Sequence, residues 1–458
     1  MRNSWAFLAG VKAEPQTPTN WLVEMLSRNS GAAYLQEFGC PKTRDEFRSW
    51  VPVCKYESLL QHLARMQSGE PNVLFGGRPV AYERTGGSSG GQKLIPYSQE
   101  GLLDFQRNVL PWLGETVARY GIGGRAYFSI SPATRKPECV GQVPVGLPDG
   151  AYLGNEAGQV LLRQTAVPIE VGALTELTSW REATLRHLAQ ASDLELISVW
   201  SPTFLLRLLD ELPDAIQLWP RLKVVSCWAS GPARRYAEEL RTRLPHAVLQ
   251  PKGLLSTEAV VTVPDEDARP ALVSHGFYEF ARGGVLHLED ELDRGKTYEV
   301  VVTTASGLYR YETGDCVRYD GQNARNRPIL EFLGRESLHC DLVGEKLTES
   351  FVSDCLQTVS GYALLVPNVE CPGYVLIGEQ SLSKAEVELI EDQLTANPQY
   401  AYARRLGQLA PLKTLVHPYA STVIEQHLLA RGTRLGDVKP VALRSEPFWL
   451  ALFSGAYS

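Results

Sequence analysis

The sequence lacks the features that mark membrane, metal-cluster and nucleic-acid-binding proteins. No segment reaches the roughly 18 consecutive apolar residues of a membrane-spanning helix. The eight cysteines include no C-x-x-C pair, and no two of the eight histidines stand three or four residues apart, so the spacing indicates neither a zinc cluster nor a disulfide scaffold. A formal net charge of −7 argues against a basic nucleic-acid-binding surface.

The sequence does contain an ordinary globular composition in a long chain. It has 458 residues, of which 44% are hydrophobic and 21% charged. A chain of this length exceeds what one hydrophobic core organises, so we expect at least two domains. The first residues lack the apolar core and cleavage pattern of a signal peptide. We therefore expect a cytoplasmic protein that acts on small molecules, with no nucleic-acid or membrane partner.

The first 75 residues are predicted to be helical, and a short strand at 79–83 is predicted to follow. Asn20 is expected to cap one helix, and Ser98 a long one that reaches about Tyr120. A helix over Tyr56–Met66 is expected to present four apolar residues on one face: Leu59, Leu60, Leu63 and Met66.

Strands and helices then alternate, which is typical of a layered α/β core. Near residue 283 short strands become dominant, and we predict a hairpin that pairs residues 284–289 with 297–304. The last quarter reads as a separate α+β unit. We predict an α/β fold with a large domain at 1–333, a hinge at 334–345 and a small domain at 346–458.

A glycine-serine loop from Thr85 to Lys93 is the strongest local signal. It reads TGGSSGGQK, and its glycines allow successive backbone N–H groups to converge on an anion. The threonine and serine hydroxyls add donors, and the lysine adds a positive charge. The segment therefore predicts an anion site, against the simpler reading of a surface turn.

Three chemistries compete for this loop. A nucleoside-triphosphate P-loop needs a lysine directly after the last glycine and then Ser or Thr, and both are missing. A nucleophile elbow around Ser88 needs a helix directly after the serine, which Pro96 would interrupt. The mobile loop of adenylate-forming enzymes is rich in Ser, Thr and Gly, ends in lysine, and fits at every position.

The loop and the motifs after it resemble one family. The segment TGGSSGGQKLIP at 85–96 is similar to the signature of the Gretchen Hagen (auxin-responsive) acyl-acid amido synthetases, a branch of the adenylate-forming enzymes. LKVVSCWASG at 222–231 and QPKGLLSTE at 250–258 look like bacterial-type members. FYEF at 277–280 and GLYRYETGDCVR at 307–318 follow in the family's order. The resemblance implies the firefly luciferase-like fold, with a large N-terminal and a small mobile C-terminal domain.

The resemblance also implies a two-step ligase reaction. ATP, with Mg²⁺, would join a carboxylic acid to AMP, because a free carboxylate is a poor acyl donor and AMP a good leaving group. An amine, expected to be an amino acid, would then attack the acyl-adenylate and form an amide. Delivery to the thiol of coenzyme A or of a carrier protein stays open, and so, more remotely, does serine hydrolysis at Ser88.

Roles for individual residues follow from the same resemblance. Lys439 would carry charge to the α-phosphate and acyl oxygen, and Glu258 would bind Mg²⁺. Asp315 would accept hydrogen bonds from the ribose hydroxyls. The other residues expected around ATP are Thr85, Ser88, Ser89, Gly90, Lys93, Thr257, Tyr278, Arg318 and Arg335. A bulky apolar segment at 197–200 precedes a proline, and for that reason, apart from the resemblance, the acyl group is expected to lie against Trp200, Thr203 and Phe204.

Overall fold

The structure is a computed structural model that describes residues 5–14, 16–85, 93–129, 138–147, 149–335 and 339–453. Within these ranges five sheets are surrounded by helices, which confirms the predicted mixed α/β class. The helices are α1 (Trp5–Gly10), α2 (Pro18–Arg28), α3 (Ala33–Glu37), α4 (Arg44–Trp50), α5 (Tyr56–Gln67), α6 (Gln99–Tyr120), α7 (Asp149–Tyr152), α8 (Gly154–Gln164), α9 (Leu177–Ala189), α10 (Pro202–Asp210), α11 (Ala215–Leu218), α12 (Arg234–Arg243), α13 (Glu349–Cys355), α14 (Lys384–Leu394), α15 (Pro398–Arg405), α16 (Ala420–Ala430) and α17 (Phe448–Ala451). Short 3₁₀ helices cover Ile169–Ala173, Gly231–Ala233, Glu289–Glu291 and Leu435–Asp437.

The strands fall into sheets of different type. They are β1 (Ala81–Arg84), β2 (Leu94–Tyr97), β3 (Arg125–Phe128), β4 (Glu138–Val140), β5 (Val143–Val145), β6 (Leu194–Ser198), β7 (Val224–Cys227), β8 (Val248–Pro251), β9 (Thr262–Pro264), β10 (Pro270–Leu272), β11 (Phe277–Arg282), β12 (Val285–His287), β13 (Thr297–Thr303), β14 (Tyr311–Gln322), β15 (Pro328–Arg335), β16 (His339–Cys340), β17 (Leu347–Thr348), β18 (Ala363–Asn368), β19 (Gly373–Gly378) and β20 (Lys413–Val416). The strand orders are β2-β1-β5-β4, β3-β6-β7-β8, β12-β11-β13-β14-β15-β10-β9, β16-β17 and β18-β19-β20.

The N-terminal helices form where predicted, with two corrections. Thr17, and not Asn20, caps α2: its side chain accepts the N–H of Asn20, which lies inside the helix. Leu60 is 49% exposed, whereas the other three apolar residues expected on its face of α5 are buried. A helix turns 100° per residue, so Leu60 lies too far round from Leu59 to share its contact.

Helix α6 confirms the prediction from Ser98. The Ser98 side chain accepts the N–H of Gly101, and the helix ends at Gly121, whose φ of +58° suits a left-handed cap. On its inner face, Trp112 donates from Nε1 to Gln250 Oε1 over 3.2 Å. This contact ties α6 to the parallel sheet β3-β6-β7-β8.

The parallel sheet places the ends of its strands together. Ser198 of β6 pairs in register with Ser226 of β7, which pairs with Gln250 of β8. The central strands β6 and β7 are short, mostly apolar and buried, as parallel strands are when both faces of the sheet are covered. Their carboxyl ends lie at one edge, where α/β sheets bind ligands.

The seven-stranded sheet corrects the predicted hairpin. Val285–His287 pairs with Phe277–Arg282 through the turn Gly283-Gly284, and Thr297–Thr303 lies on the far side of β11. Both turn glycines have positive φ, +57° and +80°, which a two-residue hairpin turn requires. The Gly-Gly dipeptide was thus the correct turn signal.

The chain beyond β15 forms a smaller unit around the sheet β18-β19-β20, with two apolar clusters of its own. It contacts the larger part through an ion pair between Arg207 and Glu425. Leu435 is buried in the cluster around α9 to α12 of the larger part. The hinge at 334–345 stays a prediction.

Candidate active site

The strands β14 and β15 bring two predicted nucleotide-binding residues together. Asp315 and Arg335 are register partners in this antiparallel pair, and Arg335 Nε donates to Asp315 Oδ1 over 2.8 Å. Asp315 is only 2% exposed. The charge of Asp315 raises the pKa of Arg335 despite the burial of the guanidinium. The carboxylate is therefore held in place, with lone pairs left for a further donor.

Thr257 and Glu258 occupy the tip of a tight turn after β8. Leu255 bridges Val260, and the N–H of Ser256 donates to the Ala259 carbonyl over 2.9 Å. No described residue donates a hydrogen bond to the Glu258 carboxylate, whose charge contributes to raising the pKa of Arg335 after that of Asp315. The Glu258 carboxylate therefore lies near enough to influence the Asp315–Arg335 pair electrostatically.

The turn is also fastened from β2. Tyr97 Oη donates to the Thr257 carbonyl over 2.7 Å. Burial raises the pKa of Tyr97, and the charges of Glu83 and Glu258 act in the same direction. Tyr97 was not among the predicted residues, because an isolated tyrosine in a strand pattern carries no chemical signal.

Lys439 reaches this group from the smaller unit. Its Nζ lies 5.5 Å from the centre of the Trp228 ring. Burial and the charge of Arg335 lower the pKa of Lys439, and Asp315 and Glu258 oppose them. The residue as a whole is exposed, and its ammonium group lies within electrostatic reach of Arg335, Asp315 and Glu258. The structure thus unites Lys439, Asp315, Glu258 and Arg335.

Two neighbouring segments hold Lys439 there. The preceding 3₁₀ turn buries Leu435 in the larger part. The following residues extend the small sheet: the N–H of Leu365 donates to the Ala442 carbonyl over 2.9 Å, and the N–H of Arg444 to the Leu365 carbonyl over 3.0 Å. The position of the lysine is therefore set by backbone pairing as well as by its own contacts.

The glycine-serine loop connects β1 to β2, and of its residues the structure describes Thr85 and Lys93. Its ends are joined, because the N–H of Thr85 donates to the Lys93 carbonyl over 3.0 Å. Lys93 Nζ lies 3.3 Å from Tyr311 Oη at the start of β14. Ser88, Ser89 and Gly90 lie outside the described residues. A strand, β2, follows the loop where a nucleophile elbow needs a helix.

Several predicted residues are placed elsewhere. Arg318 is bound by Asp320, with Nε 2.7 Å from Oδ1, and does not join the group around Asp315. Phe204 is buried in the core beside Trp180, and Thr203 Oγ1 lies 2.7 Å from Ser201 Oγ. Trp200, by contrast, follows β6 close to the group: its ring centre lies 5.9 Å from that of Trp228, which Lys439 contacts.

Tyr278 lines a cavity between α6 and the Glu258 turn. Its Oη donates to the Val260 carbonyl over 2.6 Å, and burial raises its pKa. The cavity is also lined by Phe105, Asn108 and Glu258. It adjoins Glu258, the residue predicted to bind Mg²⁺.

Glu349 is a buried acid that sequence reasoning missed. It begins α13, and burial raises its pKa to about 7, while Arg444, Arg335 and Lys439 lower it. It follows the turn residue Thr348, which caps the helix, so the sequence indicates only a helix start. Its position under Arg335 links the smaller unit to the site.

Two absences bear on cofactors and on membranes. In the described ranges, no group of three or more His, Cys, Asp or Glu side chains could hold a metal ion by itself. No helix within the same ranges has both the length and the apolar character to cross a membrane.

The chain is similar in sequence to plant amido synthetases. The chain is 25% identical over 413 residues to the probable indole-3-acetic acid-amido synthetase GH3.1 of Oryza sativa subsp. japonica, covering 72% of this chain and 67% of that protein. It is 24% identical over 530 residues to the indole-3-acetic acid-amido synthetase GH3.8 of Oryza sativa subsp. indica, covering 91% and 86%.

Solved structures agree on the fold. The AtGH3.15 acyl acid amido synthetase in complex with 2,4-DB superposes with a TM-score of 0.82 at 17% identity, covering 99% of this chain and 95% of that one. A 2-hydroxyisobutyryl-CoA ligase in the postadenylation state gives 0.55 at 14% identity, covering 93% and 99%. The fold is therefore that of adenylate-forming enzymes.

Family models match two separate regions. The GH3 family N-terminal domain matches residues 8–217, and the GH3 family central domain matches residues 271–335. The second region contains the Asp315–Arg335 pair. The chain belongs to the GH3 family.

Proposed function

We propose that this protein is an ATP-dependent acyl-acid amido synthetase. It activates a carboxylic acid as its acyl-adenylate and transfers the acyl group to an amine, most naturally an amino acid. The observation that carries the proposal is the hydrogen-bonded pair of Asp315 and Arg335, with the charges of Glu258 and Lys439 close by. The relatives named indole-3-acetic acid-amido synthetases support amide formation as the second step.

Each residue of the group has a task in this reaction. Asp315 accepts hydrogen bonds from the ribose hydroxyls, and Arg335 fixes its carboxylate. Lys439 stabilises the charge that gathers on the α-phosphate and the acyl oxygen as the mixed anhydride forms. Thr85 and Lys93 anchor a loop whose Ser88 and Ser89 hold the outer phosphates of ATP.

Mg²⁺ fits the donors at Glu258. The carboxylate receives no hydrogen bond from a described residue, and Mg²⁺ is commonly held by one or two carboxylates together with substrate phosphates. Because the described part of the chain has no cluster of acidic ligands, Glu258 would share the ion with ATP. When bound, the ion would neutralise phosphate charge, and Glu258 would hold the ion in place.

Pyrophosphate exchange over a panel of acids tests the proposal. Radiolabelled pyrophosphate should enter ATP when a suitable acid is present, and the panel should include benzoic, indole-acetic, jasmonate-like and polyketide-derived acids. An amino-acid panel, with coenzyme A as a competing acceptor, should then give an amide detectable by mass spectrometry. If none of the acids supports pyrophosphate exchange, the proposal is contradicted. If a thioester forms and no amide does, the acceptor in the second step is a thiol.

Asp315→Asn is expected to raise the KM for ATP by about 10- to 100-fold, the effect of losing a charge-assisted hydrogen bond. The wild type should also discriminate against 2′-deoxy-ATP, and the variant should do so less. Steady-state adenylation with both nucleotides measures this. Asp320→Asn is the matched control, since Asp320 binds Arg318 instead. If Asp315→Asn and the wild type discriminate equally between ATP and 2′-deoxy-ATP, Asp315 does not bind the ribose.

A further inference from the structure

A buried lysine lies at the carboxyl edge of the parallel sheet without an acidic partner. Lys252 directly follows β8 and is 4% exposed. Its Nζ donates to Ser198 Oγ over 2.7 Å. Ser198 ends β6, so the side chain crosses β7 to reach it. No carboxylate among the described residues forms an ion pair with this ammonium group, which has three hydrogens to donate.

Aromatic rings surround the ammonium group. Nζ lies 4.9 Å from the centre of the Trp200 ring and 5.3 Å from that of Trp112. Such contacts stabilise a cation but do not replace its hydrogen bonds. Burial lowers the pKa of Lys252 to about 8, with Cys227 acting in the opposite direction. Lys252 is therefore a desolvated cation with capacity for an acceptor.

The surrounding sheet supplies a second unused polar group. Ser226 is the register partner of Ser198, and its buried Oγ has no hydrogen-bond partner in the structure. Because side chains alternate along a strand, Ser198, Ser226 and Lys252 project from the same face. Buried polar atoms without partners are uncommon in native proteins and indicate a missing partner.

This polar group adjoins the proposed reaction centre. Trp200 contacts Lys252 and also packs against Trp228, whose other contact is Lys439. On α6, Trp112 lies one turn beyond Asn108, on the face that lines the cavity next to Glu258. An acid whose carboxyl group reacts beside Lys439 would thus extend its other end toward Lys252.

We propose that Lys252 and Ser198 recognise an acceptor group on the acyl acid, at the end remote from the reacting carboxyl. The substrate class is a flat aromatic acid that carries a second carboxylate or a phenolic oxygen. The tryptophans contact its ring, and Lys252 donates to its remote oxygen. This inference rests on the proposed function and adds its substrate class.

The test compares matched acids in pyrophosphate exchange with the full-length protein. Phenylacetic acid is set against 4-hydroxyphenylacetic and 4-carboxyphenylacetic acids, and indole-3-acetic against 5-hydroxyindole-3-acetic acid. The wild type should prefer the substituted acids. Lys252→Met should lower kcat/KM for the preferred substituted acid by about 10- to 100-fold, the range for a charge-assisted hydrogen bond, and change that of its parent by less than about 3-fold.

Two further variants keep the result interpretable. Ser198→Ala should shift the preference in the same direction by a smaller factor, whether or not Lys252→Met folds. Lys223→Met is the control, because Lys223 lies at the opposite edge of the sheet, paired with Glu195, and should leave the preference unchanged. The inference is overturned if Lys252→Met keeps the preference of the wild type for substituted acids. If that variant does not fold, an unaltered preference in Ser198→Ala overturns it. A wild type that favours the unsubstituted acids also overturns it. If none of the acids supports pyrophosphate exchange, the proposed function is overturned instead.

Discussion

Lys439→Ala is expected to slow acyl-adenylate formation by at least about 100-fold, the cost of removing one group that stabilises transition-state charge. Amide formation from supplied acyl-adenylate should remain largely intact. The reason is that Lys439 belongs to the smaller unit and meets Asp315, Glu258 and Arg335 only through the docked arrangement. We expect the smaller unit to carry Lys439 away once the adenylate exists, so that other groups stabilise the charge that then forms on the acyl oxygen and on the departing AMP.

The two half-reactions can be measured separately. Pyrophosphate exchange reports the first, and a single turnover of synthetic acyl-adenylate with the amine reports the second. Lys413→Ala, an exposed lysine on β20 of the same unit, should change neither. If Lys439→Ala depresses both half-reactions equally, the lysine serves throughout, and a separate adenylating arrangement is not supported.

Glu279→Ala is expected to destabilise the larger part by about 3–5 kcal/mol, the usual cost of leaving a buried charge unpaired. Glu279 is 1% exposed on its side chain and binds Arg310 through both oxygens, over 2.8 and 3.0 Å. It also accepts from Arg48 Nε over 2.9 Å. Without it, two guanidinium groups lose their counter-ion, one of them buried.

The effect should appear as a lower midpoint in denaturant unfolding. The double variant Glu279→Ala/Arg310→Met should recover part of the loss, since the stranded charge is gone. Glu238→Ala removes an exposed partner of Arg241 and should shift stability by less than about 0.5 kcal/mol. A change below about 1 kcal/mol in Glu279→Ala would mean that water reaches Arg310.

The sequence predicted what local chemistry determines. Ser98 identified the start of α6 because a cap acts within one helical turn. Helix α14 likewise begins at a local signal, because Ser383 and Glu386 form a capping box. The hairpin predicted between 284–289 and 297–304 was wrong because the turn at Gly283-Gly284 pairs β12 with β11, and β13 lies on the other side of β11.

The candidate site divides along the same line. The motifs at Glu258, Asp315 and Lys439 could be singled out in the sequence, but the pairing of Asp315 with Arg335 is a consequence of strand register. Arg318, three residues from Asp315, was expected beside it; a register shift follows Cys316, and Arg318 binds Asp320 instead. Lys252 was overlooked because a lysine after a strand reads as a solvated residue, and only its buried contacts indicate otherwise.

The parallel sheet has a consequence for reading related sequences. Its register aligns two rows of side chains across three strands: Ser198, Ser226 and Gln250 in the first, and Trp200, Trp228 and Lys252 in the second. Three short sequence segments, each contributing two residues spaced two apart, thus form one wall beside the proposed reaction centre. In homologous proteins, these three segments should change together when the acid substrate changes. Members of the family could then be grouped by expected substrate from their sequences before any assay.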